Sequence, residues 1–346
     1  NIYTQRIFSI FFPTIEFLGV IATGAVLFTG EKLYAHHTLT IGTLITALYL
    51  LQLVFQPLQE LSDVYGQLQS GAAAMVKIAT ILDEEPEIRD AQQSVELPRV
   101  EGDLEIDRVV FAYGAEPVLH EVEVHVRPGG CLALVGESGG GKSTLARLVG
   151  RFYDPDSGAV RVDGVDLRDV KLRSYRRQLG VVLQDPFLFS GTIASNIRFA
   201  KPDATDEEVG AAAAAVGVDR VAKRLRGGLE HEVREGGSGL SAGERQLISI
   251  ARALLADPRI LILDEATSNI DRPTEVLIEH ALDRLLRDRT SIIIAHRLST
   301  VRRADQILVV EHGRIVQRGT EQELLGQEGA FRRLAQGLDG ELAAAG

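Results

Sequence analysis

Residues 136–144 read Gly-Glu-Ser-Gly-Gly-Gly-Lys-Ser-Thr. The stretch fits G-x-x-x-x-G-K-[ST], a phosphate-binding loop. A triphosphate needs many donors aimed at one point. Gly139, Gly140 and Gly141 carry no side chain, so backbone N–H groups can crowd round an anion. Lys142 supplies a point charge for the outer phosphates, and the Ser143 hydroxyl suits Mg²⁺. Gly136, Glu137, Ser138 and Thr144 complete the loop. A helix starting near Lys142 would aim its positive end at the same anion. The run Cys-Leu-Ala-Leu-Val at 131–135 predicts a buried parallel strand leading into the loop.

Further stretches follow in order. Residues 260–265 read Ile-Leu-Ile-Leu-Asp-Glu, a buried strand with two carboxylates at its end. Asp264 can hold the shell of a Mg²⁺ ion and Glu265 can polarise an attacking water; the pair could also cap a helix. Residues 291–296 read Ser-Ile-Ile-Ile-Ala-His, another buried strand with His296 at its exit. That histidine is placed to contact a γ-phosphate, although a lone histidine is often structural. Residues 240–246, Leu-Ser-Ala-Gly-Glu-Arg-Gln, open a helix. Ser241 with Glu244 three residues on is a capping box. Ser241 and Gly243 could equally present hydroxyl and N–H groups to phosphate.

Together these stretches resemble the ATP-binding cassette (ABC) transporters, of the exporter type with a transmembrane part fused ahead of the cassette. Residues 136–144 match the Walker A loop, and Asp264 and Glu265 the Walker B pair. Gln184, in Val-Val-Leu-Gln-Asp-Pro-Phe, matches the Q-loop glutamine. The signature LSGGQ is here Leu240, Ser241, Ala242, Gly243 and Glu244, with alanine for the first glycine and glutamate for the glutamine. The D-loop reads Ser-Asn-Ile-Asp at 268–271 and keeps Asp271. His296 matches the switch histidine and Tyr113 the aromatic that stacks on adenine. The exporter segment T-E-V-G-E-R-G is weaker here: it keeps Glu235 but has Gly236 where arginine is usual.

The resemblance implies a P-loop ATPase cassette of α/β class, with a RecA-like core, an N-terminal β subdomain and a helical insertion. It implies ATP and Mg²⁺, the metal held by Ser143, Gln184 and Asp264. Glu265, His296 and Gln184 would be the catalytic residues. It also implies a second half-transporter, homo- or heterodimeric. Each ATP would lie between the loop of one cassette and the signature of the other.

The chain has 346 residues, room for two domains, and a net charge of −11. With no basic run, nucleic acid is not an expected partner. A single cysteine, Cys131, excludes an internal disulfide. Lysine occurs at six positions while arginine dominates, which suggests a GC-rich bacterial genome.

Two apolar segments open the chain. Residues 7–28 carry one charge, Glu16, and one proline, Pro13; residues 39–55 carry no charge. Both read as transmembrane helices, and core helices are the alternative. Glu16 at membrane depth is a functional candidate, or lies near the interface, or faces another helix. His36 and His37 in the intervening loop read as a solvated pair. The three- and four-residue spacing of Leu58, Leu61, Val64 or Tyr65, Leu68, Ala72, Met75, Ile78 or Ala79 and Leu82 extends the second helix towards the cytoplasm. The expected organisation is therefore residues 1–82 as the end of a transmembrane domain, 83–102 as an acidic linker, 103–340 as the nucleotide-binding domain and 341–346 as a tail. Six helices precede the cassette in the family; the two here resemble the fifth and sixth. The resemblance thus implies a multi-pass protein of the inner (plasma) membrane with a cytoplasmic cassette, and a chain lacking the first four helices.

Overall fold

A computed structural model describes residues 2–264, 270–295 and 297–336. The chain divides into two units, residues 1–86 and 87–346.

The first unit is a helical pair, α1 (Ile2–Ala35) and α2 (Ile41–Leu82). Thr40 caps α2 by accepting from the N–H of Thr43. Small residues let the helices approach: a Cβ at Gly19 would lie 3.3 Å from the Phe55 ring, and one at Gly30 would strike the Leu44 side chain. The outward surface is apolar, with Phe17 66%, Leu68 67%, Met75 74% and Leu82 78% exposed. Water does not tolerate such a surface in a finished fold. Among the described residues one stretch, Pro13–Ala35, is long and apolar enough to cross a membrane. Ile41–Pro57 is a shorter apolar stretch.

The second unit begins with a segment stitched to its surface. The N–H of Leu97 donates to Ser174 Oγ at 3.0 Å, and that of Val100 to Gln178 Oε1 at 2.8 Å. The Asp163 carboxylate gathers the N–H groups of Glu101, Gly102 and Asp103 within 2.8–3.0 Å. Residues 87–102, linker-like in composition, are thus docked, because Leu97 and Val100 bury their side chains.

Then come β1 (Leu104–Ala112) and β2 (Pro117–Val126), an antiparallel pair. Next are β3 (Cys131–Val135) and α3 (Lys142–Val149). The next strands, β4 (Ser157–Val162) and β5 (Val165–Asp166), join β1 and β2 in a sheet of order β2-β1-β4-β5. Beyond α3 the chain thus returns to the antiparallel sheet. After α4 (Leu172–Arg176) and β6 (Leu179–Val182), the chain makes a helical region. It contains β7 (Gly191–Thr192), α5 (Ile193–Arg198), α6 (Asp206–Ala215), α7 (Val218–Arg224), β8 (Glu232–Val233) and α8 (Ala242–Ala256). The chain closes with β9 (Ile260–Asp264), α9 (Arg272–Leu286), β10 (Thr290–Ile294), α10 (Leu298–Val301), β11 (Gln306–Glu311), β12 (Arg314–Gly319) and α11 (Glu321–Leu325).

The main sheet has the order β12-β11-β3-β10-β9-β6, parallel except at β12. Both of its faces are buried, which is why its strands read as unbroken apolar runs. Leu132 and Leu134 of β3 face a core shared with the antiparallel sheet and α3; Ala133 and Val135 face a core shared with the helical region. A parallel sheet puts the carboxyl ends of all its strands along one edge, the usual place for a ligand in an open α/β fold.

Candidate nucleotide site

The 136–144 loop leaves β3 at that carboxyl edge and runs straight into α3. Gly136 has φ 144°, and a Cβ there would run into the Val310 carbonyl oxygen of β11. Gly141, at φ 105°, is the N-cap of α3 and makes no side-chain capping bond. The N–H groups of the first turn of α3 therefore have no internal acceptor. The loop is braced from outside, because the Gly313 N–H donates to the Gly140 carbonyl at 2.9 Å.

Lys142 is only 5% exposed. Its Nζ donates to the carbonyls of Gly136 at 2.8 Å and Glu137 at 2.7 Å. Burial holds its ammonium below the usual lysine range, with the Asp264 carboxylate opposing that shift. A buried cation whose hydrogen bonds go to neutral carbonyls stands ready to receive an anion. Glu137, Ser138 and Gly139 are exposed at the loop tip, Gly140 is buried, and Ser143 is exposed on the first turn of α3. Thr144 is buried, and the Tyr113 hydroxyl donates to its Oγ1 at 3.4 Å.

Tyr113 stands half-exposed beside this helix, edge-on to Phe111 at 4.9 Å and to Tyr153 at 5.1 Å. Arg147 Nη1 donates to its hydroxyl at 3.1 Å. Sequence reasoning missed Arg147. The available signal was helical spacing, since Ser143 and Arg147 are four residues apart and share a face of α3.

Asp264 is the last residue of β9 and half-buried. Its charge acts on both Lys142 and Arg147, so the carboxylate and the loop share one electrostatic neighbourhood. Glu265 follows directly on Asp264, and His296 follows Ala295; both lie outside the described residues. So do Ser268 and Asn269 of the D-loop. Their feeder strands β9 and β10 are adjacent, with Asp264 opposite Ile294. Gln184 is exposed just beyond the edge strand β6.

The signature residues form a separate construction. Leu240 is buried, Ser241 and Ala242 are exposed, and Gly243 is buried. Ser241 is the N-cap of α8; its Oγ accepts from the Glu244 N–H at 3.2 Å, and its own N–H donates to Glu244 Oε2 at 2.9 Å. The capping box is thus real geometry. A Cβ at Gly243 would run into Cγ2 of Thr274 on α9. Asp271 caps that same α9, accepting from Thr274 N at 3.2 Å and from its Oγ1 at 3.0 Å. These Thr274 bonds, ahead of a weak contribution from Arg224, hold the Asp271 carboxyl below its usual range. Signature and D-loop therefore meet side by side through Gly243 and Thr274.

The ABC transporter family profile matches residues 119–268, from β2 through the Walker B carboxylates. An uncharacterised ABC transporter ATP-binding protein of Bacillus subtilis is 44% identical over 327 residues, covering 94% of this chain and 54% of that protein. An ATP-dependent lipid A-core flippase of Syntrophus aciditrophicus is 42% identical over 324 residues, again covering 94% and 54%. The solved structure of a bacterial Atm1-family ABC exporter with ATP bound aligns with a TM-score of 0.72 at 36% identity, covering 92% of this chain and 56% of that one. The chain spans about half the length of the curated relatives it matches. Residues 119–268 thus carry the ATP-binding domain of the ABC transporter family.

Proposed function

We propose that the chain is the ATP-hydrolysing part of an exporter half-transporter that works with a second copy of itself. The observation that carries this reading is the pairing of an open loop with a signature in one cassette. The uncapped first turn of α3 and the buried Lys142 suit a triphosphate, while Ser241 and Gly243 suit the γ-phosphate of a neighbour. Two copies would then complete two sites.

Roles follow from chemistry. Gly136, Glu137, Ser138, Gly139, Gly140, Gly141, Ser143 and Thr144 would wrap the phosphates, with Lys142 balancing their charge. Tyr113, held by Thr144 and Arg147, offers a ring face to adenine. Glu265 would orient the attacking water and His296 would touch the γ-phosphate. Asp271 would line the seam between cassettes. Ser143, Gln184 and Asp264 offer only oxygen donors, which suits Mg²⁺. Bound there with the nucleotide, Mg²⁺ would supply Lewis-acid neutralisation of phosphate charge. The protein's part is mostly positioning and charge stabilisation.

The first unit supports placement in the inner (plasma) membrane with the cassette in the cytoplasm. Pro13–Ala35 can span the hydrocarbon, and the apolar surface of α2 would find partners on other helices. A soluble ABC ATPase would have no use for such a surface.

The test is hydrolysis by the whole chain in detergent with Mg²⁺ and ATP. Phosphate release per chain should rise steeply with protein concentration, because each site needs two copies. A rate per chain that is independent of concentration, or no release at all, overturns the reading.

A further inference from the structure

Glu244 sits where the family signature carries a neutral glutamine. It is in the first turn of α8, the helix end proposed above to receive a partner's nucleotide. A bare carboxylate there would oppose a triphosphate by like-charge repulsion.

The structure answers that charge from another helix. Arg224, the last residue of α7, donates from Nη2 to Glu244 Oε1 at 3.0 Å. The other carboxylate oxygen is already held by the Ser241 N–H. The neighbouring cation, Arg245, is turned away, with its Nη1 on the Leu240 carbonyl at 2.8 Å. The Glu244 side chain is 17% exposed and that of Arg224 68%, so the pair joins a mostly buried carboxylate to an exposed guanidinium. The C-terminal end of α7 favours a cation. The reach of Arg224 extends to the D-loop, since its field also acts on Asp271.

We propose that Arg224 is a positioning residue for the signature: it neutralises Glu244 so that the N-terminus of α8 can accept the triphosphate held by a partner chain. The proposal rests on the two-copy reading above. With its guanidinium largely in solvent, the pair is screened and adds little to folding stability. The effect of Arg224 therefore falls on the incoming anion and not on the helix.

The experiment is steady-state ATP hydrolysis by the whole chain in detergent at fixed protein concentration. R224M should raise KM for ATP about threefold to tenfold, more at low salt, with a smaller change in kcat. R224K, which keeps the charge, should recover most of the loss. In an E244Q background the R224M effect should shrink below about twofold, because the charge to be neutralised is gone. An unchanged KM in R224M overturns the proposal. So does R224K behaving like R224M, or an equal KM increase with and without E244Q, which would mark Arg224 as a packing residue of α7. If the unsubstituted chain shows no concentration-dependent hydrolysis, the two-copy reading fails first and this proposal falls with it, whatever Arg224 does.

Discussion

The N-termini of α3 and α8 are built from the same backbone dipole and finished in opposite ways. At α3 the cap is Gly141, and no side chain caps the first turn. At α8 the cap is Ser241, and Glu244 closes a reciprocal box with it. On the proposed reading the first end is an anion site left uncapped. The second has two of its groups satisfied internally and keeps the Ala242 and Gly243 N–H groups and the serine hydroxyl to offer. An open end binds on its own; a half-closed end only completes a site that another chain brings. On this account the difference between the two caps is what makes one cassette insufficient.

Four substitutions break or sharpen that contrast. The largest effect should come from Glu265→Gln, which keeps size and hydrogen-bonding reach and removes the charge that activates water. Turnover should fall by at least about 10²-fold while ATP binding persists; phosphate release at the parent rate would show that another group serves as base. Lys142→Ala acts on the open end alone. Losing a charge-assisted contact is worth about 1.5–3 kcal/mol, so ATP affinity should drop about tenfold to a hundredfold in a fluorescent-nucleotide titration. Unaltered affinity would remove the loop from the binding site.

Gly243→Ala acts on the other end. The new methyl would meet Thr274 Cγ2, at an overpacking cost of about 1–3 kcal/mol. Hydrolysis should fall while nucleotide binding to the isolated chain stays as it was. Thr274→Ser removes the offending methyl and keeps the hydroxyl that bonds Asp271, so it should restore most of the loss. No rescue would mean that the Gly243–Thr274 contact is not the cause. Smallest is Ser241→Ala, which loses a cap worth about 1 kcal/mol. The melting temperature should drop by a few degrees and hydrolysis should drop further than that loss explains. A loss in stability alone would leave Ser241 as a cap and nothing more.

Much of this was legible in the sequence because the chemistry is local. A glycine-rich loop between an apolar strand and a helix declares both its backbone and its ligand within nine residues, 136–144. The capping box at Ser241 and Glu244 is readable for the same reason. What escaped was long-range. That β4 pairs with β1 and carries β5 beyond it depends on register between distant strands. The docking of residues 87–102 depends on acceptors at Asp163, Ser174 and Gln178, some 60 to 80 residues away. Arg224 and Glu244 are twenty residues apart on different helices, and no motif joins them. The helical pair shows the converse. Its apolar length is plain in the sequence, and on the proposed reading other helices cover its outward face.

The central claim, that the open end of one chain and the half-closed end of another share one ATP, has a direct measurement. Two reporters, each with one added cysteine, are made in the Glu265→Gln background, Ser138→Cys in one chain and Ser241→Cys in the other. The native thiol does not compete, since burial, with help from Asp305, pushes the Cys131 pKa up to about 12. The two chains are mixed in detergent and oxidised with and without ATP and Mg²⁺. The account predicts a disulfide between unlike chains that forms only with nucleotide and is lost when Lys142→Ala is added. Equal cross-linking with and without ATP, or none at saturating ATP and high protein concentration, would contradict it.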